Sequence, residues 1–119
     1  MVDLDGKEIG SVDDLLIDGV DHKVRCLRIK EGGFLGIGGR HFLIPVEAVT
    51  RITEDTVAID QTGEHVGKGP EYDSAVAADE TWRQEAFRED GYFPSVYRHY
   101  GFPPFWAPGY AYPAYPFYV

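Results

Sequence analysis

Short apolar runs separated by turn signals fill residues 1–68, which is the pattern of a small antiparallel β domain. Asp5-Gly6 predicts a tight turn, because glycine accepts the positive φ that such turns require. Residues 8–18 then predict a long strand. Its apolar positions do not alternate strictly, so we expect a bend or bulge within it, and Gly10 would allow one.

Further strands are predicted downstream. Residues 19–22 form a turn, 23–30 and 40–46 each form a strand, and 47–49 form one helical turn. A last hairpin turns at Glu54-Asp55, with Val57 and Ile59 pointing inward. Pro45 has no N–H to give to a ladder, so we place it at a strand end or edge. Five or six short strands predict an all-β fold over residues 1–72, a closed or nearly closed small barrel.

Residues 73–90 predict a linker and a short helix. Asp79 is placed to cap a helix over residues 80–90, and Gly91 to end it in the left-handed conformation. Trp82, Ala86 and Phe87 would share one face of this helix. Because that face is narrow, the helix must pack against another part of the protein.

Residues 91–119 form an arm with twelve aromatic residues and six prolines. This proline content predicts extended backbone and excludes a helix. Three positions are open to the arm: on its own barrel, across a homodimer, or on a different protein or a lipid surface. For partner binding we single out the densest aromatic cluster, which consists of Tyr100, Phe102, Phe105 and Trp106.

Charge and composition narrow the function classes. The chain has 119 residues, enough for one domain, and a formal net charge of −9. All 20 acidic residues lie between Asp3 and Asp90, which disfavours nucleic acid and leaves at most a peripheral membrane contact. Cys26 is the single cysteine, so no intrachain disulfide forms, and we expect a buried thiol. Without a secretory signal or an apolar membrane span, we expect a cytoplasmic protein.

No motif predicts chemistry. The glycine-rich residues 32–39 precede a strand rather than a helix, so they predict a connecting loop that displays Phe34, Leu35 and Ile37 as a contact patch. The aspartates at positions 13, 14, 18 and 21 lack calcium-loop spacing, and the four histidines lack zinc spacing. We therefore predict no catalytic residue, no cofactor and no metal ligand.

Several segments, taken in order, resemble the PRC-barrel domain, a family named for the cytoplasmic barrel of the photosynthetic reaction centre H subunit. They are Val2-Asp3, Asp5-Gly6, Ile9-Gly10, residues 14–18, residues 24–27, the glycine-rich loop and residues 43–46. The likeness covers residues 2–72 and implies a six-stranded barrel that acts in assembly, often as a dimer, without catalytic residues. The membrane helix of the reaction-centre subunit has no counterpart here, so membrane residence does not transfer. The N-terminal domain of the ribosome-maturation relatives is missing too, which weakens the case for a ribosomal role.

The sequence thus predicts a non-catalytic protein–protein interaction or assembly module that binds an unidentified protein and forms a homodimer. Two alternatives stay open. One is an accessory binder of a small molecule or ion that supports electron transfer, and the other is a ribosome-associated scaffold.

Overall fold

The computed structural model describes residues 1–32 and 39–113. Its five strands are β1 (Gly10–Ile17), β2 (Val24–Glu31), β3 (His41–Pro45), β4 (Val49–Ile52) and β5 (Val57–Ile59). A 3-10 turn, Val46–Ala48, joins β3 to β4. The four helices are α1 (Gly63–Gly67), α2 (Ser74–Ala77), α3 (Glu80–Glu85) and α4 (Tyr92–Tyr100).

Strands β1, β2 and β3 form an antiparallel sheet in that order, and this sheet contains two bulges. The register passes from Val12 to Asp14 on β1, which leaves Asp13 as the extra residue. It also passes from Cys26 to Val24 on β2, which leaves Arg25 as the extra residue. The predicted irregularity of the first strand is thereby confirmed, although the second bulge lies in its neighbour.

The second sheet pairs β4 with β5, and the predicted hairpin turn closes with the Thr53 N–H donating to the Thr56 carbonyl at 2.8 Å. Val2 bridges Ala58 of β5 on one side and Glu8 on the other. The expected turn follows, with Gly6 at φ 80°. Single bridges at Val2 therefore connect the N-terminal segment to Glu8 and to β5.

The prediction of an all-β barrel is only partly right. Over residues 1–32 and 39–113 the strands form two small sheets that do not close into one continuous barrel, and four short helices accompany them. One reason is that a single bridge, not a ladder, joins β5 to the N-terminal segment. The β-rich character agrees with the prediction.

Asp3 holds the N-terminal turn against α1. Its carboxylate accepts backbone N–H bonds from Asp5 at 3.0 Å, Lys7 at 2.9 Å and Gly63 at 3.0 Å. Burial alone favours the neutral acid, but these three donors outweigh it and lower the pKa of Asp3. The turn and the helix thus share one buried anion.

We expect Asp3→Asn to lower the free energy of unfolding by about 2 kcal/mol near neutral pH, because an amide cannot accept all three bonds. A lowered native pKa stabilises the fold above the unfolded pKa of about 3.9, and this contribution disappears as the pH falls through the native value. The difference in unfolding free energy between wild type and variant should therefore become smaller towards about pH 3. Urea denaturation near neutral pH and at about pH 3 measures this difference. A difference that does not depend on pH would contradict the role assigned to the Asp3 carboxylate.

Strands β2 and β3 are buried on both faces of the three-stranded sheet, whereas β1 is largely exposed. The inner face packs into the main core, which consists of Met1, Ile9, Leu27, Ile29, Phe42, Ile44, Val46, Ala48, Val49, Ile59, Val66, Val96 and Tyr100. The outer face packs into a second cluster, the outer core, which consists of Cys26, Leu43, Ala86, Phe93 and Tyr97. Helix α4 contributes side chains to both, so it packs over the edge of the sheet as well as over its outer face.

A helix within the arm corrects the prediction from proline content. Residues 92–100 form α4, and Pro94 is its third residue. Proline is tolerated in the first helical turn, where N–H groups have no intrahelical partner. The helix ends at Gly101, which has φ 78°.

Helix α3 begins as predicted but ends early. The Asp79 side chain accepts a bond from the Trp82 N–H, which confirms the cap, yet the helix stops at Glu85. Gly91 does not end it in the left-handed conformation, because its φ is −83° and it precedes α4 as the N-cap. The short helix packs through Trp82 and Ala86 against the outer core, as its narrow apolar face requires.

A histidine pair fastens α4 to α1. The rings of His65 and His99 stack at 4.0 Å between centroids. Each Nε2 lies within hydrogen-bond distance of the other residue's carbonyl, at 2.8 Å and 2.6 Å. Since a carbonyl accepts, each Nε2 donates. These bonds join residues 34 positions apart in the sequence, so the pairing required the tertiary structure.

Candidate functional site

A groove of about 540 Å³ opens between the β1–β2 end of the sheet and the aromatic segment that follows α3. We call it the aromatic groove. It is lined by Leu16, Ile17, Asp18, Gly19, Arg25, Cys26, Phe87, Phe93, Phe105 and Trp106. A volume of this size accommodates a small ligand or a few side chains of a protein partner.

Perpendicular rings build the wall of the groove on the side of the arm. Trp106 meets Phe87 at 5.2 Å and Phe105 at 5.0 Å between centroids, both nearly at right angles. Phe87 also stacks on Phe93 at 4.4 Å. Edge-to-face contacts of this kind add stabilisation beyond burial and restrict ring orientation. The wall is therefore rigid.

Three large apolar side chains of the groove remain exposed. The exposed fractions are 59% for Ile17, 49% for Phe87 and 40% for Trp106. Isolated exposed apolar residues are ordinary on protein surfaces, but these three line one concave site. Burying them against a partner would therefore be favourable.

Arg25 lies against this wall because of the bulge. As the extra residue of β2, it is turned towards the arm, and its guanidinium carbon lies 4.5 Å from the centroid of the Phe105 ring. Its Nη2 donates to Asp18 at 3.1 Å and Asp21 at 3.2 Å. Burial opposes the charge, but the hydrogen bond that Arg25 donates to Asp18 and the nearby anions outweigh it and raise the pKa of Arg25. The cation is thus retained in a largely apolar setting.

Two tyrosines of the arm tie it to the sheet. The Tyr112 hydroxyl donates to the Val24 carbonyl at 3.1 Å, and the Lys23 ammonium lies 4.7 Å from the centroid of that ring. The Tyr110 hydroxyl donates to Glu47. These contacts hold the described end of the arm beside the strand that carries Arg25.

Cys26 has low nucleophilic reactivity. It is 1% exposed, and burial raises the pKa of its thiol to about 12. Its Sγ lies 3.8 Å from the hydroxyl of Tyr97, a hydroxyl whose pKa burial also raises. Because the thiolate is the nucleophilic form, this cysteine is a poor nucleophile. The prediction of a buried thiol is confirmed.

The residues that the sequence singled out for partner binding are distributed unevenly. Phe105 and Trp106 line the aromatic groove, and Phe102 is half-buried beside both cores. Tyr100 is buried in the main core. The predicted contact patch of Phe34, Leu35 and Ile37 lies outside the described residues. Binding by any of these residues stays a prediction.

The sequence analysis missed Ile17 and Phe87 as groove residues. Phe87 carried a partial signal, since it stood at the margin of the narrow face on the predicted helix. Ile17 carried none, because it was only one of the apolar positions of a predicted strand without strict alternation, and the bulge changes the register beside it. Both positions depend on contacts between distant segments.

Two kinds of feature are absent from the described residues. No cluster of histidine, cysteine, aspartate and glutamate there has an arrangement suited to a metal ion. No helix among residues 1–32 and 39–113 has the length and apolar character needed to cross a bilayer.

The fold and the groove define a class: a small β-rich module with two antiparallel sheets, covered on the outer face by an aromatic helical segment. A family model, the PRC-barrel domain, matches residues 2–66, more than half of the chain. The chain belongs to the PRC-barrel family, which confirms the resemblance found in the sequence. Curated proteins gave no match.

Proposed function

We propose that the protein is a non-catalytic protein–protein interaction module and that the aromatic groove is its contact surface. The observation that carries this proposal is the exposure of Ile17, Phe87 and Trp106 along one concave, apolar site. Aromatic anchors of this kind dominate the binding energy of many protein interfaces. Membership of the PRC-barrel family is consistent with this role but leaves the partner open.

Rigidity of the groove supports the proposal further. Pro103 and Pro104 restrict the backbone before Phe105, and the Tyr110 and Tyr112 hydroxyls fix the segment that follows. A surface already ordered in the free protein loses little conformational entropy on binding. The groove is therefore suited to recognising a partner without rearrangement.

The absence of catalysis is part of the proposal. Cys26 is buried and poorly nucleophilic, while the Asp18 and Arg25 side chains beside it are bonded to each other. These groups therefore stabilise the bulge and the turn. We assign them a structural role.

Site-specific photocross-linking tests the interaction. We expect p-benzoylphenylalanine in place of Trp106 to give a discrete protein adduct in cells that express the full chain. The same photoprobe in place of Leu4, which is exposed but does not line the groove, should not give that adduct. Phe87→Asp, combined with the probe at position 106, should weaken it.

The mass of the adduct distinguishes the partners. Twice the chain mass of 13.3 kDa would support the predicted homodimer, and any other defined mass would indicate a different protein. Equal adducts from positions 106 and 4, or none from either, would contradict the proposal. A ribosome-associated role stays a prediction, since no described contact favours it.

A small-molecule binder remains a second candidate because the groove volume of about 540 Å³ falls in the range of ligand pockets. If an accessory ligand for electron transfer occupied the groove, the purified chain would carry a bound species. Native mass spectrometry and the visible absorption spectrum would reveal it. A native mass equal to that of the chain alone, together with absorbance limited to the aromatic band, would reject this candidate.

A further inference from the structure

Seven of the ten residues that line the aromatic groove belong to two stretches of the chain with a net negative charge. Residues 13–28 and 79–90 together carry nine carboxylates and five Lys or Arg residues. All nine carboxylate residues except Asp18 are exposed. A surface with an apolar centre and an anionic surround attracts cationic partners and repels anionic ones.

Two of the five cations in these stretches are paired, and they pair with four of the nine carboxylates. Arg25 pairs with Asp18 and Asp21, while Arg28 pairs with Asp13 at 2.8 Å and also lies 4.0 Å from Asp14. By contrast, Glu89 and Asp90 lie two and three residues after Phe87, and both are exposed. Residues 79–90, which contribute Phe87 to the groove, carry five carboxylates and two arginines, so the charge of this segment is −3.

The exposed rings add a second preference for cations. The indole of Trp106 and the ring of Phe87 are each at least two-fifths exposed. Aromatic faces attract ammonium and guanidinium groups, and tryptophan does so most strongly. Arg25 already lies over Phe105 in this manner within the same groove.

From the apolar lining, the anionic surround and the exposed rings, we infer that the aromatic groove binds a basic protein segment in which Lys or Arg residues flank apolar side chains. The apolar side chains fill the groove, and the basic residues face the carboxylates and the rings of Phe87 and Trp106. A second copy of this chain is disfavoured as the occupant, because it brings the same acidic surround and a net charge of −9. The inference rests on the proposed function and specifies the class of partner.

Synthetic peptides provide the direct test on the full chain. The probe is a labelled peptide of alternating Lys and Leu, compared with peptides of alternating Glu and Leu and of alternating Lys and Ser. We expect measurable binding by fluorescence anisotropy only for the Lys–Leu peptide. Its affinity should fall at least tenfold between about 0.05 M and 0.5 M salt, because exposed charges are screened.

Variants locate the site. Trp106→Ala should weaken binding of the Lys–Leu peptide by about tenfold or more, as is typical of an interface anchor. The pair Glu89→Lys and Asp90→Lys should weaken it about fivefold at low salt. The matched pair Glu54→Lys and Asp55→Lys, in the exposed β4–β5 turn, makes the same change of charge away from the groove and should have less than about a twofold effect.

Three results would overturn the inference: equal binding of the Lys–Leu and Glu–Leu peptides, binding of neither, or equal effects of the two charge-reversal pairs. A different result would assign the groove to a second copy of the chain. The full chain would self-associate, Trp106→Ala would abolish that association, and the Lys–Leu peptide would not compete with it. The proposed function fails separately, since it depends on the photocross-link from position 106. If position 106 gives a cross-linked protein but the peptides bind without a charge preference, the proposed function is supported and the basic partner is rejected.

Discussion

Ending the chain after Asp90 is expected to abolish the folded monomer, because residues 91–119 include part of both cores. Helix α4 places Val96 and Tyr100 in the main core, and Phe93 and Tyr97 in the outer core. Burial of one large apolar side chain contributes about 1.5–3 kcal/mol. Loss of four such side chains removes an amount comparable to the entire stability of a typical domain, about 5–15 kcal/mol.

Gel filtration with light scattering and circular dichroism would test the 1–90 fragment. We expect aggregation, or a chain without a cooperative thermal transition. A fragment that does not fold is weak evidence alone. A substitution at Tyr97 therefore measures the contribution of the arm to stability in the full chain. Tyr97→Ala should lower the free energy of unfolding by about 3–5 kcal/mol.

Tyr97→Phe is the matched control, since it keeps the ring and removes only the hydroxyl 3.8 Å from the Cys26 Sγ. We expect a change below about 1.5 kcal/mol for this variant. A monomeric 1–90 fragment that unfolds cooperatively near the wild-type temperature would show that the arm is dispensable for folding. The arm would then be available to another protein.

The second large effect is expected at Gly91. A Cβ atom there would lie 2.6 Å from the Ala86 carbonyl oxygen and nearer still to that of Glu85. The Ala86 carbonyl cannot retreat easily, because it accepts the Phe93 N–H at 2.9 Å and Ala86 is buried. Gly91→Ala should therefore lower the free energy of unfolding by about 3 kcal/mol.

Gly19→Ala is the control, because nothing lies within 4 Å of a Cβ at that position. We expect it to change stability by less than about 0.5 kcal/mol. Gly91→Asn separates two explanations for the glycine. Asparagine is favoured at helix N-caps, the position that Gly91 holds, so a capping cause predicts partial rescue, whereas the steric cause predicts a loss at least as large as that of alanine. Thermal and urea unfolding of the three variants measures the difference.

The two predictions also show where interpretation of the sequence failed. Gly91 was assigned a left-handed helix end, a local role, whereas the structure requires glycine because two carbonyls of the preceding helix approach it. The proline-rich arm was assigned extended backbone, yet Pro94 occupies a helical turn that tolerates it. In both cases the residue type was informative, but its neighbours in space decided its role.

Tyr100 shows the same limit for the candidate site. Its place in a dense aromatic cluster predicted a contact surface, but α4 turns its side chain into the main core. Trp106, six residues later, follows the helix end at Gly101 and lines the groove instead. Aromatic composition alone does not distinguish a buried ring from an exposed one.

The sequence by itself determined the features whose causes lie within a few residues. These are the turn at Gly6, the cap at Asp79, the β4–β5 hairpin and the family, since turn and cap bonds join neighbours in the chain. Only the tertiary structure decided the aromatic groove, because it joins Ile17, Phe87 and Trp106 across 89 residues of sequence. The bulge at Arg25 turns that side chain towards the arm, and the arm packs on Cys26 and Leu43 of the sheet, so contacts between distant segments set this geometry.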